Sequence, residues 1–465
     1  MANLEAGRDA EPLRDRAELI EPFTAAFKPK EKFRIGAEAE KFGVLERSMT
    51  PVTYDGERGV VRVMTELARG FGWREVDVDP LLSLEKNGAS VTLEPGAQLE
   101  LSGAPLDDLH AISAELEAHV AELHQISAHI REESGEGIAW LGLGFHPLAQ
   151  QADLPWVPKP RYRFMREYLP TRGAHGLDMM RRTATVQANF DYSSEDNAMR
   201  SLRLSMKLSP VFTAIFANSP FYEGTIFGGK SYRAKAWLSV DPSRQGLVPA
   251  IFRPGAKIDD YIEWALDAPM FLFLRDGKPI GNTGQTFRDF FARGFEGHRA
   301  TYGDWVTHLN SMFPEVRLKR TLEVRGGDSL AKGDVVGPAA LFTGILYDAR
   351  AFEEAEALVG DFQHDELDAL RPHVAMEGLS AKLRGVPLRD LASRVLDLAK
   401  AGLERRAIRR ADGCDESVYL ADPIRRVAAG RSPADDLLDH ARAAMAAGKT
   451  ERDAVIDAVL TLSRL

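Results

Sequence analysis
Four short runs alternate apolar and polar residues one by one, the period of a strand whose successive side chains point to opposite faces. In RIGAEAEKFG, Ala37 and Ala39 share one side and Glu38 and Glu40 the other. In SVTLEPGAQLELS, Val91, Leu93, Ala97, Leu99 and Leu101 form an apolar side opposite Glu94, Gln98 and Glu100, provided that Pro95-Gly96 keeps one strand in register. RRTATVQANFD sets Thr183, Thr185, Gln187, Asn189 and Asp191 against Ala184, Val186, Ala188 and Phe190. VRLKRTLEVRGGD, read as one strand, sets Arg317, Lys319, Thr321, Glu323 and Arg325 against Leu318, Leu322 and Val324.

Other stretches have different periods. Asn87-Gly88 in SLEKNGASVTLE predicts a tight hairpin between two strands. Residues 105–133 repeat apolar positions at helical spacing and predict one long helix. LPWVPKPRYRFMREYLP, 154–170, is punctuated by prolines and predicts an irregular arm. From about Gly344 onward the pattern is helical. The expectation is an α+β fold with a mainly antiparallel sheet surrounded by helices: one catalytic domain over residues 1–465, with a core at about 30–345 and a helical part at 346–465.

GTIFGGKS, 224–231, matches the phosphate-binding pattern G-x-x-x-x-G-K-[ST]. The pattern has meaning only where a buried strand enters it and a helix leaves it. FANSPFYE before it has no β-branched run, and YRAKAWLSVDPS after it predicts a short strand around Tyr232–Val240. The context fails, and Lys230 is expected to be dispensable for nucleotide binding.

Composition narrows the classes. The 465 residues are 44% hydrophobic and 28% charged, with a formal net charge of −10. That acidity argues against a general nucleic-acid surface, and no stretch has the length and apolarity of a membrane span. The single cysteine, Cys414, allows neither an intramolecular disulfide nor a cysteine zinc site, and no histidine stands near it. The charged start, MANLEAGRDAEPLRDRAELIEPF, predicts a short polar lead-in. A cytoplasmic protein is expected.

The polar faces of the four runs carry the chemistry. A solvated sheet face uses the same residue types. However, these faces pool five glutamates from three runs with one lysine, a repulsive cluster without a cation. Carboxylates with Gln and Asn are oxygen ligands of the kind Mg²⁺ prefers, and flanking Arg and Lys complement phosphate or carboxylate oxygens. Together they suit ATP-dependent phosphoryl transfer to a carboxylate without a P-loop.

IGAEAEKFG, SVTLEPGAQLELSGAPLDDLH, LGLGFHP, PKPRYRFMREYLP, GLDMMRRTATVQANFDYSSE, FANSPF, TGQTFRDFF and FPEVRLKRTLEVRG resemble, in order, blocks of the plant-type glutamate–cysteine ligase family. The resemblance runs from about Arg34 to about Arg406. It implies a glutamine-synthetase-like core with a sheet funnel holding ATP, metals and glutamate. It further implies Glu38, Glu40, Glu94, Glu100 and Glu323 as ligands of two or three Mg²⁺ ions (Mn²⁺ as a substitute), and Gln187 as a metal or nucleotide contact. By the same resemblance Arg182 and Arg233 meet the glutamate α-carboxylate, Arg325 and Lys319 face the phosphates, and Asn189, Tyr162 and Tyr168 border the pocket. GTIFGGKS then serves to position Arg233, and the arm 154–170 serves as a lid.

The implied reaction joins glutamate to cysteine through a γ-glutamyl phosphate, the first step of glutathione biosynthesis, by a monomer or homodimer. Many relatives have His in place of Ala39, and plant members carry redox cysteine pairs and a targeting extension that this sequence lacks. Another amine acceptor, supply of ergothioneine synthesis, a guanidino-type phosphotransferase and a non-enzymatic nucleotide sensor stay open as alternatives.

Overall fold
The computed structural model describes residues 10–465, so the first nine residues of the expected polar lead-in lie outside the described residues. Nine strands form the main sheet: β1 (Ile35–Leu45), β2 (Arg74–Val78), β3 (Leu81–Lys86), β4 (Ala89–Leu93), β5 (Leu99–Ser102), β6 (Ile138–Leu141), β7 (Val186–Phe190), β8 (Val316–Leu318) and β9 (Leu322–Val324). Their spatial order is β8-β9-β7-β1-β5-β4-β3-β2, with β6 pairing with the second half of β1. Each of these pairings is antiparallel. The expected α+β class with an antiparallel sheet is what forms.

Alternation on β1 sets both layers. Ile35, Ala37 and Ala39 are buried while Gly36, Glu38 and Glu40 stay half-exposed. Helix Gly337–Leu346 packs on β1 and β7, helix Glu195–Ile215 on β8 and β9, and helix Leu109–Ser134 on β1 and β6. Beyond Glu40 the strand is buried on both sides, because β6 and the last helices, Pro433–Ala446 and Glu451–Leu462, build a second core. There Phe42, Val44 and Leu141 meet Leu437, Val455 and Val459. No helix among the described residues is long and apolar enough to cross a membrane.

Local chemistry explains where the pattern held and where it broke. Asn87 and Gly88 both have positive φ, 51° and 88°, and close β3 onto β4 as a two-residue hairpin. The expected long helix forms over Leu109–Ser134, capped by Asp108, whose carboxylate accepts from the Ala111 N–H at 2.8 Å.

SVTLEPGAQLELS, however, is not one strand. Pro95 cannot donate to a ladder, Ala97 has φ 68°, and the chain turns back so that Leu93 pairs with Leu99. Gln98 leaves the polar face to brace that turn, accepting from the Gly96 N–H at 2.9 Å and donating to the Thr183 carbonyl at 2.9 Å. VRLKRTLEVRGGD is likewise a hairpin, turning at 319–321 where the Lys319 N–H donates to the Thr321 carbonyl at 2.9 Å. The odd loop length leaves Arg317 opposite Glu323, so the polar parity survives the turn.

Three further expectations change. Tyr232–Trp237 is a helix rather than a strand: Ser231 caps it, and six residues are too few to display a helical apolar period. The arm is irregular only to about residue 161, since Tyr162–Tyr168 is helical. Residues 17–24 of the lead-in form a helix that inserts Leu19 and Phe23 into the core.

His308 is buried against Trp305 and Phe287, with Nε2 2.7 Å from the Ala265 carbonyl oxygen, and burial pushes its pKa down to about 3. The unfolded chain, with an ordinary imidazole pKa near 6.5, takes up a proton that the folded chain refuses, so this contribution is complete above about pH 6.5 and is lost as pH falls. Between pH 6.5 and 5 it amounts to about 2 kcal/mol. The thermal midpoint of His308→Phe should therefore fall less than that of the parent over this range. Parallel curves would contradict the buried neutral imidazole.

Candidate active site
The polar face of the central strands lines up in rows. Arg317 pairs with Glu323 and Glu323 with Asn189; Gln187 pairs with Glu38; Glu40 pairs with Glu100, and Glu100 with Thr92. Glu38, Glu40 and Glu100 each have a neutral donor beside them. Glu38 accepts from the Asn189 amide at 2.7 Å, and Asn189 in turn accepts from the Thr321 hydroxyl at 3.0 Å. Glu40 accepts from the Thr185 N–H at 3.0 Å and from the Gln187 amide at 3.4 Å. Glu100 accepts from the Thr92 hydroxyl at 2.8 Å.

Charge is divided across this face. At one side Glu323, fully buried, accepts from both ends of the Arg317 guanidinium at 2.7 and 3.0 Å and from Lys319 at 2.8 Å. Arg325 reaches both Glu323 and Gln187. Three cations on one carboxylate leave a net +2 over these four side chains. Burial alone would raise the Glu323 pKa, but Arg317, Lys319 and Arg325 outweigh it and hold the carboxyl well below its ordinary range. Burial lowers the Lys319 pKa, with Arg317 adding to the effect.

On the other side carboxylates predominate, and the charges of Lys319, Arg233 and Arg325 offset them only in part. Burial, then the charges of Glu323 and Glu100, push Glu38 up to about 7. Burial, then Glu100 and Glu94, raise Glu40 well above the carboxylate range. Among the described residues no three of these side chains converge closely enough to form a ready cation cage. The donor set nevertheless fits a hard divalent ion in kind: all-oxygen, strongly acidic and mutually repelling.

A cleft opens beside the cationic end, lined by Arg233, Trp237, Phe313, Glu315, Arg325 and Arg371 among others. Arg233 is buried, donates from one Nη to the Arg325 carbonyl at 2.8 Å and leaves its Nε without a partner; the Trp237 indole N–H is also unpartnered. On the cleft wall Glu315 pairs with Arg371 at 2.7 Å. Both side chains line the cleft and carry donors that an acceptor there could meet.

The remaining expected residues lie elsewhere. Arg182 is sandwiched between the Phe145 and Tyr222 rings, each centroid 4.8 Å away, with Asp178 at 3.3 Å and Glu223 at 3.0 Å; it does not line the cleft. The Tyr162 hydroxyl donates to the Leu93 carbonyl at 3.0 Å and ties the arm to the end of β4, beside the turn carrying Glu94. Tyr168 packs edge-on to Phe271 near the buried Arg244, its hydroxyl unpartnered. Lys230 of GTIFGGKS is paired with Asp435.

Lys159 and Arg161 were not anticipated. Lys159 donates to the Leu93 carbonyl at 2.7 Å, and both cations feel the charges of Glu94 and Glu100. The signal was available in PKPRYR, a cationic cluster on the arm expected to cover the site. Arg317, which holds Glu323, was visible in the alternation but received no role.

An antiparallel sheet whose one face sets carboxylates against clustered cations suits the binding of anionic small molecules. The chain belongs to glutamate–cysteine ligase family 2, which matches residues 34–459, and so to the ligases. It is 41% identical to a chloroplastic glutamate–cysteine ligase of Brassica juncea over 433 residues, 92% of this chain and 81% of that protein. It is 40% identical to chloroplastic glutamate–cysteine ligase B of Oryza sativa subsp. japonica over 439 residues, 94% and 85%. With the chloroplastic enzyme of Arabidopsis thaliana it is 40% identical over 433 residues, 92% and 80%.

A more distant similarity, at TM-score 0.45 and 12% identity, covers 91% of this chain and 72% of a chain in the crystal structure of the complex between prokaryotic ubiquitin-like protein Pup and its ligase PafA. The relatives overturn the cytoplasmic expectation: the glutamate–cysteine ligases that this chain is similar to are chloroplastic. One cysteine and an acidic balance do not specify an address.

The Lys230–Asp435 pair is partly exposed, so Lys230→Ala should cost at most about 1 kcal/mol. ATP affinity, measured by calorimetry, should change by less than about twofold, because the motif lacks its strand context. Loss of ATP binding in this variant would restore the P-loop.

Proposed function
We propose that the chain condenses the γ-carboxylate of L-glutamate with the amine of L-cysteine, converting ATP to ADP and phosphate and giving γ-glutamylcysteine, the first step of glutathione biosynthesis. The observation that carries this is the division of one sheet face into a carboxylate side and a cationic side next to a cleft with unpartnered donors. The family supplies the substrates' identity.

A γ-carboxylate is a poor electrophile. Its oxygen attacks the γ-phosphorus of ATP, ADP leaves, and an acyl phosphate forms. The cysteine amine then attacks the acyl carbon, and the tetrahedral intermediate expels phosphate as the amine loses its proton. No protein nucleophile takes part.

Arg325 and Lys319 lie on the cationic side and meet phosphate oxygens as charge moves onto them. Gln187, bonded to Arg325 and Glu40, holds the border between the two sides and contacts nucleotide or metal. Arg233 takes the glutamate α-carboxylate in the cleft, whereas Arg182, held between the Phe145 and Tyr222 rings outside the cleft, does not share that role. Asn189 fixes Glu38, while Tyr162 and Tyr168 hold the arm that keeps water from the acyl phosphate.

Glu38, Glu40, Glu94 and Glu100 would hold two or three Mg²⁺ ions, for which Mn²⁺ could substitute; Glu323, expected among these ligands, has both oxygens taken by Arg317, Lys319 and Arg325 and is left to orient those cations. Such ions supply neutralisation of the triphosphate charge. The active species is a monomer or a homodimer.

Phosphate release should require glutamate and cysteine together and should match γ-glutamylcysteine one for one. Glu38→Gln and Glu40→Gln should each lower it by about 100-fold or more while leaving the fold intact by circular dichroism. Near-parent rates in both variants would remove these carboxylates from the reaction.

A further inference from the structure
The end of GTIFGGKS is held by a carboxylate distant in sequence. Asp328, completely buried, accepts from the Ser231 hydroxyl at 2.8 Å through one oxygen. Its other oxygen accepts from the Ser219 hydroxyl and the Asn218 N–H, each at 2.7 Å. Both serines pass the restraint on. The Ser231 oxygen accepts from the Ala234 N–H at 2.9 Å and so caps helix Tyr232–Trp237. The Ser219 oxygen accepts from the Arg233 N–H at 3.2 Å, and the Ser219 carbonyl from the Tyr232 N–H at 2.8 Å.

The surroundings are built for this contact. A Cβ on Gly144 would stand 2.2 Å from the Asp328 carboxyl carbon, so only glycine fits there. Arg233 is the cation whose charge compensates the buried Asp328, and Asp328 is foremost among the charges that stabilise the buried Arg233 guanidinium.

We infer that Asp328 is a positioning residue: through Ser219 and Ser231 it fixes the first turn of helix Tyr232–Trp237 and with it the direction in which Arg233 presents its guanidinium to the substrate carboxylate. The inference rests on the assignment of Arg233 to glutamate. It gives the phosphate-loop look-alike a use of its own, in which the motif's serine is the working residue and its lysine is not. A carboxylate is required because three donors converge and it has only acceptors to offer. An amide would turn N–H groups toward one of them and remove the charge facing Arg233.

The test is steady-state kinetics of the full chain with glutamate, cysteine and ATP varied separately. Partial misfolding lowers the active fraction, and hence kcat, without moving any KM; misdirection of Arg233 moves the glutamate KM. Asp328→Asn should raise the glutamate KM about tenfold and leave the ATP KM within about twofold. Combined with Arg233→Lys, it should raise the glutamate KM no further than Arg233→Lys alone. Ser231→Ala should raise it about threefold to fivefold, with Ser231→Thr restoring the parent value; this series also serves if Asp328→Asn fails to fold.

An unchanged glutamate KM in Asp328→Asn, or in Ser231→Ala where the former does not fold, alongside a raised one in Arg233→Lys overturns the inference and leaves the Arg233 assignment standing. An unchanged KM in Arg233→Lys overturns that assignment, and this inference with it.

Discussion
The Glu323 carboxylate, buried without exposure and gripped by Arg317, Lys319 and Arg325, is the contact on which the site depends. Burying an ion pair costs desolvation that mutual attraction offsets only with good geometry, so such a cluster is poor value as a stabiliser. What it provides is placement. It pins β8 to β9, orients Arg325 toward Gln187, and concentrates positive charge two strands from Glu38 and three from Glu100. The same sheet face thus holds a surplus of cations next to a surplus of carboxylates. A triphosphate and a second carboxylate, with divalent ions between them, complete the balance that neither side reaches alone.

This division also explains why a phosphate-loop sequence can sit in a family of ATP-using ligases and do something else. In a true P-loop the lysine must be free to reach phosphate, whereas Lys230 is occupied by Asp435. The residues that matter are the ones around the pattern: Ser231, which caps the next helix, and Arg233, which that helix carries into the cleft. A short helix does leave the motif, contrary to the strand expected there. Its N-terminal serine, however, is taken up by Asp328 rather than left open to an anion.

What could be read in the sequence was local. The parity of Glu38 and Glu40 against Ala37 and Ala39 depends only on neighbouring residues, as does the Asn87-Gly88 turn, and both were legible. The turns at Glu94–Gln98 and Lys319–Thr321 were not, because an alternating pattern continues through a hairpin with an odd loop. Nor was the pairing of Asp328 with Ser231, which lie 97 positions apart, or the capture of Arg182 between two aromatic rings. These follow from how the chain packs. The compartment was misread for a different reason, since composition carries redox state and charge but no destination.

The central claim is that the sheet face activates a carboxylate by phosphorylating it. It is tested most directly with glutamate labelled by ¹⁸O in its γ-carboxylate, turned over with ATP and cysteine, and mass analysis of the phosphate released. Each phosphate should carry one ¹⁸O, passed from the carboxylate through the acyl phosphate. Unlabelled phosphate accompanying γ-glutamylcysteine would contradict the account.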